Sequence, residues 1–408
     1  MRNGLNISGV SELIHEIREK PAEALIDFRV TGHPARDGVA THVRTARHGS
    51  VRMARGFRVD QLSHRTRADD EAVPVTGRID PLTSPYESAL AALGACALIT
   101  HINGFTGRGV ALDEVELTAR AELSLDASGH AAPGAGLTGL AWRCTVACGA
   151  ADDVVQGVNR LVTAFSPNHR VFLDEADLAL RALVTRGDGS QEILTLPYAP
   201  GPAPAPSPDG DTAHRALFEV RLRWEYGTEV HARTSLEHDG TRREATSVLV
   251  VDQSKQMLGI GKGPNPQELL LSAVCGELLG LVREETARTG TAIGELHVSS
   301  GGRLDIRGMQ NVLREVPSRF HNLGFDLALT SDAGADELTA LLTAALDRSV
   351  LLATLARPNA IAIELGRPGA PDTTYLSGTE AAEAFRDELS RQQQEAARAA
   401  EAAASGAE

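Results

Sequence analysis

Cysteine is scarce. Four residues in a chain of 408 do not make a disulfide framework. Cys144 and Cys148 lie four apart in WRCTVAC, a segment that alternates like a strand, so both point to one face. A zinc pair would need further ligands close by, and no second pair follows, so both read as small core residues and no metal is expected. Positive charge is short as well. Forty Lys and Arg face 54 Asp and Glu, a net charge of -14 at pH 7, which argues against nucleic acid or an anionic membrane as partner. No apolar run continues for ~18 residues, the length a membrane span needs. The opening MRNGLNISGV lacks signal-peptide character, so a cytoplasmic protein without a membrane partner is the expectation. A Gly-x-Ser-x-Gly elbow and a phosphate loop are also missing. The segment Gly259-Ile260-Gly261-Lys262-Gly263 follows a turn and has no Ser or Thr after the lysine, so no cofactor is expected.

What is present is a repeat. Ser84-Pro85-Tyr86-Glu87 runs into Ser88–Thr100, SALAALGACALIT, a helix so poor in polar groups that it must be buried. Asn265-Pro266-Gln267-Glu268 runs in the same way into Leu269–Leu281, LLLSAVCGELLGL. At an offset of 181 residues Pro85 meets Pro266, Glu87 meets Glu268, Gly109 meets Gly290 and Glu114 meets Glu295. Such a shared offset indicates a duplicated unit. The telling mismatch is Cys96 against Glu277.

The length suits two domains, each with its own core. The first is expected over 1–197, a Pro-rich linker over 198–213, the second domain over 214–372, and an Ala/Glu/Arg-rich tail, helical or disordered, over 373–408. In the first half, apolar spacing predicts a helix from Asn6 to Lys20. Strands are expected at Ala24–Thr31, Val39–Ala46, Ser50–Val59, Leu112–Leu125, Leu140–Cys148 and Ala176–Val184. A turn falls at Gly32–Gly38, and a helix at Ala151–Phe165 ends at Ser166-Pro167. In the second half, strands are expected at Leu217–Trp224, Thr228–Leu236, Ser247–Asp252, Glu295–Ile306, His321–Leu329 and Ala360–Leu365, with a helix at Ala335–Asp347. The fold class is therefore α+β, with antiparallel strands wrapped around central buried helices. A helix apolar on all sides needs cover on all sides, so the two buried helices should pack on each other as in a fused, symmetric dimer.

The residues SPYE-x8-Cys in the first half and GPNPQELLL in the second resemble the OsmC/Ohr family, the osmotically inducible and organic hydroperoxide resistance proteins. The likeness extends to Asn3-Gly4-Leu5, to GRLDIRGM at Gly302–Met309, and to Ser166-Pro167 and Ser349-Val350. It implies two tandem OsmC-like domains forming an intramolecular pseudo-dimer, and thiol peroxidase chemistry in the active members. One cysteine attacks a hydroperoxide, an Arg–Glu pair activates it, and a second cysteine resolves the sulfenic acid. Carried over, Cys96 takes the peroxidatic position and Glu87 and Glu268 take the glutamate. Arg36, in Ala35-Arg36-Asp37-Gly38, matches the arginine, with Arg44, Arg47 and Arg55 nearby. The resolving position holds Ser166 or Ser349, neither of which can form a disulfide, and Glu277 holds the peroxidatic position of the second half.

A cysteine peroxidase needs a thiolate, whereas burial raises a thiol above its free value of roughly 8.5. Cys96 thus needs a basic group brought by the fold, and His101, five residues on, is off its face by about 140°. Arg36 and His169 are the candidates, set against the simpler readings of a buried core thiol and a surface-loop histidine. Glu87 is nine residues from Cys96 and cannot share its face on a straight helix. In a cross-domain arrangement Glu87 and Arg36 would lie near Glu277, and Glu268 would approach Cys96. A buried Glu277 is either a structural salt bridge to arginine or a general acid/base. Three functions remain open. The first is a one-cysteine organic hydroperoxide reductase served by an external thiol reductant. The second is a non-redox enzyme acting on a small-molecule substrate through Glu277. The third is an inert small-molecule-binding protein.

Overall fold

The computed structural model describes residues 1–35, 38–53, 56–62, 83–126, 129–201, 215–245, 248–313 and 315–405. Arg36, Arg55 and all but the first four residues of the Pro-rich linker lie outside them. The first half forms α1 (Ile7–Glu19), β1 (Leu25–Ala35), β2 (Gly38–His48), β3 (Val51–Arg52), β4 (Phe57–Gln61), α2 (Pro85–Gly107), β5 (Leu112–Ser124), β6 (Thr138–Cys148), α3 (Asp152–Phe165), α4 (Pro167–Leu173), β7 (Leu178–Thr185) and β8 (Gln191–Thr195). The second forms β9 (Arg215–Tyr226), β10 (Glu229–His238), β11 (Thr241–Glu244), β12 (Leu249–Val251), α5 (Pro266–Thr289), β13 (Leu296–Asp305), α6 (Ile306–Met309), β14 (His321–Thr330), α7 (Ala335–Asp347), α8 (Val350–Leu355), β15 (Ile361–Arg367), β16 (Ala370–Ser377) and α9 (Thr379–Ser405).

The two long helices start alike. The Ser84 hydroxyl accepts from the Glu87 N–H at 3.2 Å, and the Glu87 carboxylate accepts from the Ser84 N–H at 2.7 Å. Asn265 and Glu268 make the same reciprocal pair, at 2.8 and 2.9 Å. Each is a capping box with proline in the first turn, where its missing N–H costs nothing. Every residue from Pro85 to Ile99 is buried. Helix α2 is long and apolar enough to cross a membrane, but here its apolar surface is covered by the rest of the fold. An added Cβ at Gly94 would sit 2.6 Å from Leu222 Cδ1, so α2 lies close on β9.

Among the described residues the strands form two eight-stranded sheets. One runs β3-β2-β1-β13-β14-β7-β8, with β4 beside β2; the other runs β11-β10-β9-β5-β6-β15-β16, with β12 beside β10. Each sheet therefore has a central pair of strands from one half and flanking strands from the other. The expectation of wholly antiparallel sheets needs correction. Strand β7 pairs with β14 in parallel, and β6 with β15 in parallel. Both parallel ladders join strands of different halves, so no hairpin constrains their direction. The expectation of one core per half gives way too, because one apolar cluster draws on both halves. Helix α2 packs on β5, β9 and β10, helix α5 on β1, β2 and β13, and the two helices pack on each other.

Local expectations fail at particular points. Helix structure does not stop at Ser166-Pro167, because Pro167 opens α4. The turn expected at Gly32–Gly38 is shorter, since β1 reaches Ala35 and β2 starts at Gly38. Strand β16 runs through position 373 to Ser377, and α9 begins at Thr379, so the tail is anchored rather than free. Phe385 of α9 packs with Ala164 and Phe165 of α3. The glycines of GIGKG serve close backbone approach. An added Cβ at Gly263 would sit 2.0 Å from the Val250 carbonyl oxygen, and one at Gly259 the same distance from that of Gln253.

Candidate functional site at the crossing of the two long helices

The start of each long helix lies against the middle of the other, which brings residues of both halves to Cys96. Its sulfur is hydrogen-bonded by the Ser166 hydroxyl at 3.2 Å, the Asn168 N–H at 3.4 Å and the Gln267 side-chain amide at 3.3 Å. Asn168 is held in turn. Its side-chain amide donates to the Ala92 carbonyl at 3.0 Å and to the Pro266 carbonyl at 2.9 Å, tying α4 to both long helices. Burial raises the Cys96 thiol above its ordinary value, and the donors around the sulfur, including the His169 backbone N–H, offset only part of that rise by favouring thiolate.

Glu277 has a matching site. Its carboxylate accepts from the Ser349 hydroxyl at 2.6 Å, the Val350 N–H at 2.8 Å and the Leu351 N–H at 3.1 Å. The Tyr86 hydroxyl is a further partner. Both acceptors thus meet a serine hydroxyl, backbone N–H groups at the start of a short helix, and a side chain reaching across from the other half. Burial lifts the Glu277 carboxyl to about 7, against the pull of its donors. The Tyr86 hydroxyl is raised as well, by its own burial and by Glu277.

Several expected roles are not the ones observed. Glu268 does not reach Cys96; it caps α5 and accepts from the Thr45 hydroxyl at 2.9 Å. Its neighbour Gln267 makes the contact, because one residue turns a helix by about 100°. Glu87 likewise caps α2, and it is Tyr86 that meets Glu277. One oxygen of Glu87 is buried without a partner among the described residues. His169 is neither a surface residue nor a base for Cys96. It is fully buried, its ring nitrogens facing Trp142 Nε1 at 3.3 Å and Ser377 Oγ at 3.1 Å. Burial depresses its imidazole to about 3, so it is neutral. His101, depressed to about 4, faces the Ala97 carbonyl and Asn159. Glu277 has no arginine partner among the described residues, so the salt-bridge reading does not hold.

Sequence reasoning missed Tyr86, Gln267 and Asn168. The first two share one place in the repeat, directly before the matched glutamates, and that coincidence was the available signal. Among the described residues no group of His, Cys, Asp or Glu is arranged to hold a metal ion. No protein-family model matches the chain, and no curated protein matches it.

The donor set yields a direct expectation. Gln267→Leu removes one donor to the sulfur, so thiolate becomes harder to form. The pH profile of Cys96 alkylation, followed by mass spectrometry, should move to higher pH; an unmoved profile would show that the amide does not act on the thiol.

Proposed function

We propose that the chain is an OsmC/Ohr-like tandem pseudo-dimer and a one-cysteine thiol peroxidase, with Cys96 as the reacting group and organic hydroperoxides as substrates. The observation that carries this reading is the sulfur's surroundings: three donors drawn from both halves and suited to thiolate. Thiolate attacks one oxygen of the hydroperoxide, the O–O bond breaks, Cys96 becomes a sulfenic acid, and the alkoxide leaves as the alcohol after taking a proton. Ser166 stands 3.2 Å from the sulfur where a resolving cysteine would be needed, so no intramolecular disulfide can follow there. An external thiol attacks the sulfenic sulfur and releases water. A second thiol then frees Cys96 and leaves as the disulfide. This makes an external thiol reductant an obligatory partner.

The test is to treat the full chain with cumene hydroperoxide, trap sulfenic acid with dimedone and map the adduct. The expected adduct is on Cys96 and not on Cys144, Cys148 or Cys275. Burial raises all three buried thiols, but four donors offset it at Cys96, against Ser300 alone at Cys275, which is pushed up to about 12, and none at Cys144. No adduct on Cys96 would overturn the proposal. A second reading, non-redox acid/base chemistry, is favoured by one observation, a Glu277 carboxyl lifted to about 7 beside Tyr86. A turnover lost in Glu277→Gln but kept in Cys96→Ser would select it.

A further inference from the structure

A second site lies away from the helix crossing. A cleft of about 210 Å³ opens between α3, the β15–β16 hairpin and the start of α9. Leu365, Leu376 and Phe385 give it apolar walls, and Arg160, Tyr375 and Ser377 supply polar atoms.

The proton on Ser377 can be placed by elimination. Indole nitrogen only donates, so Trp142 Nε1–H donates to His169 Nδ1, which carries no proton. The neutral ring then holds its proton on Nε2, and that N–H donates to Ser377 Oγ at 3.1 Å. The hydroxyl proton of Ser377 must point elsewhere, and no acceptor for it stands among the described residues. Ser377 is only 2% exposed, so this is a buried donor lining a cleft without a partner. Such a group is costly to leave unpaired. Tyr375 lines the same cleft, and its hydroxyl shares only the Asn159 amide, at 2.9 Å. One further hydrogen bond is open to it. At the rim, the Arg160 guanidinium lies 4.8 Å above the Phe385 ring and is only loosely paired with Glu388, at 3.8 Å.

We infer that this cleft binds a small monocarboxylate with a short apolar body, its carboxylate accepting from Ser377 and Tyr375 near Arg160, its body against Leu365, Leu376 and Phe385. The volume suits a single ring or a chain of several carbons. The site does not depend on chemistry at Cys96.

Sodium octanoate is the probe, titrated calorimetrically into the full chain beside octanol. One saturable site for octanoate is expected at millimolar concentrations, with weaker binding of octanol. Ser377→Ala should weaken octanoate about fivefold, the worth of one hydrogen bond. Arg160→Gln should weaken octanoate more than octanol. Ala381→Phe, at an exposed rim position, should block both ligands without touching the buried network. Absence of saturable binding, or octanoate affinity unchanged in both Ser377→Ala and Ala381→Phe, overturns the inference. Equal losses for the two ligands in Arg160→Gln would overturn the carboxylate assignment.

Discussion

Cys96→Ser is expected to abolish thiol-dependent consumption of organic hydroperoxide while leaving the fold intact. The reacting electrons are those of sulfur, and a serine hydroxyl at neutral pH is no substitute. The structural cost should be small. A serine oxygen can still accept from Ser166, Asn168 and Gln267, so the donors that now face the sulfur keep a partner. A loss of about 1 kcal/mol or less in denaturant unfolding is expected. The same loss of consumption is not expected from Cys144→Ser, because no hydrogen-bond donor offsets the burial of the Cys144 thiol as the donors at Cys96 do. Hydroperoxide consumption at the wild-type rate by Cys96→Ser would end the peroxidase reading.

Glu277 should dominate stability rather than turnover. In Glu277→Ala the Ser349 hydroxyl, the Val350 and Leu351 N–H groups and the Tyr86 hydroxyl all lose their shared acceptor inside the protein. A cavity adds to this, and a destabilisation of about 3–5 kcal/mol follows, measured at pH 5. Glu277→Gln keeps the shape and one carbonyl oxygen, so about 1–2 kcal/mol is expected. The pH dependence has a definite sign. The folded carboxyl titrates at about 7 against an ordinary value of 4.5, so the folded protein binds the extra proton between those values. The stability linked to that proton is fully present below pH 4.5 and is lost as pH rises through about 7. At ~1.36 kcal/mol per pH unit the loss is roughly 3 kcal/mol. Glu277→Gln has no such proton, so the stability difference between wild type and variant should shift by that amount between pH 4.5 and 7.5. Parallel curves would show that Glu277 is not the titrating group.

Much of the local structure is legible without coordinates. The two buried helices announce themselves through Pro-x-Glu starts and a lack of polar residues, and both are capped as those residues require. The amphipathic α1, α3 and α7 follow from spacing alone. The short strands β8, β11 and β16 do not stand out, because a few alternating residues are stabilised by the sheet edge they join rather than by themselves. Pro167 reads equally well as the end of one helix or the start of the next. In the candidate site, Cys96 and Glu277 stood out as the mismatch in a repeat. Their partners did not, since nothing in the residue types Tyr, Gln and Asn marks them as neighbours of a thiol or a carboxyl.

The 181-residue repeat, the α+β class, the capped helix starts and the burial of both long helices can all be read along the chain. Each of these rests on short-range periodicity or on residues a few positions apart. Packing in three dimensions settled that strands of the two halves interleave, with β1 beside β13 and β9 beside β5. It also decided that Gln267 and Tyr86, rather than the glutamates after them, cross to the opposite site. Both outcomes depend on how the two helices rotate and cross when they pack, and no local pattern along the chain encodes that angle.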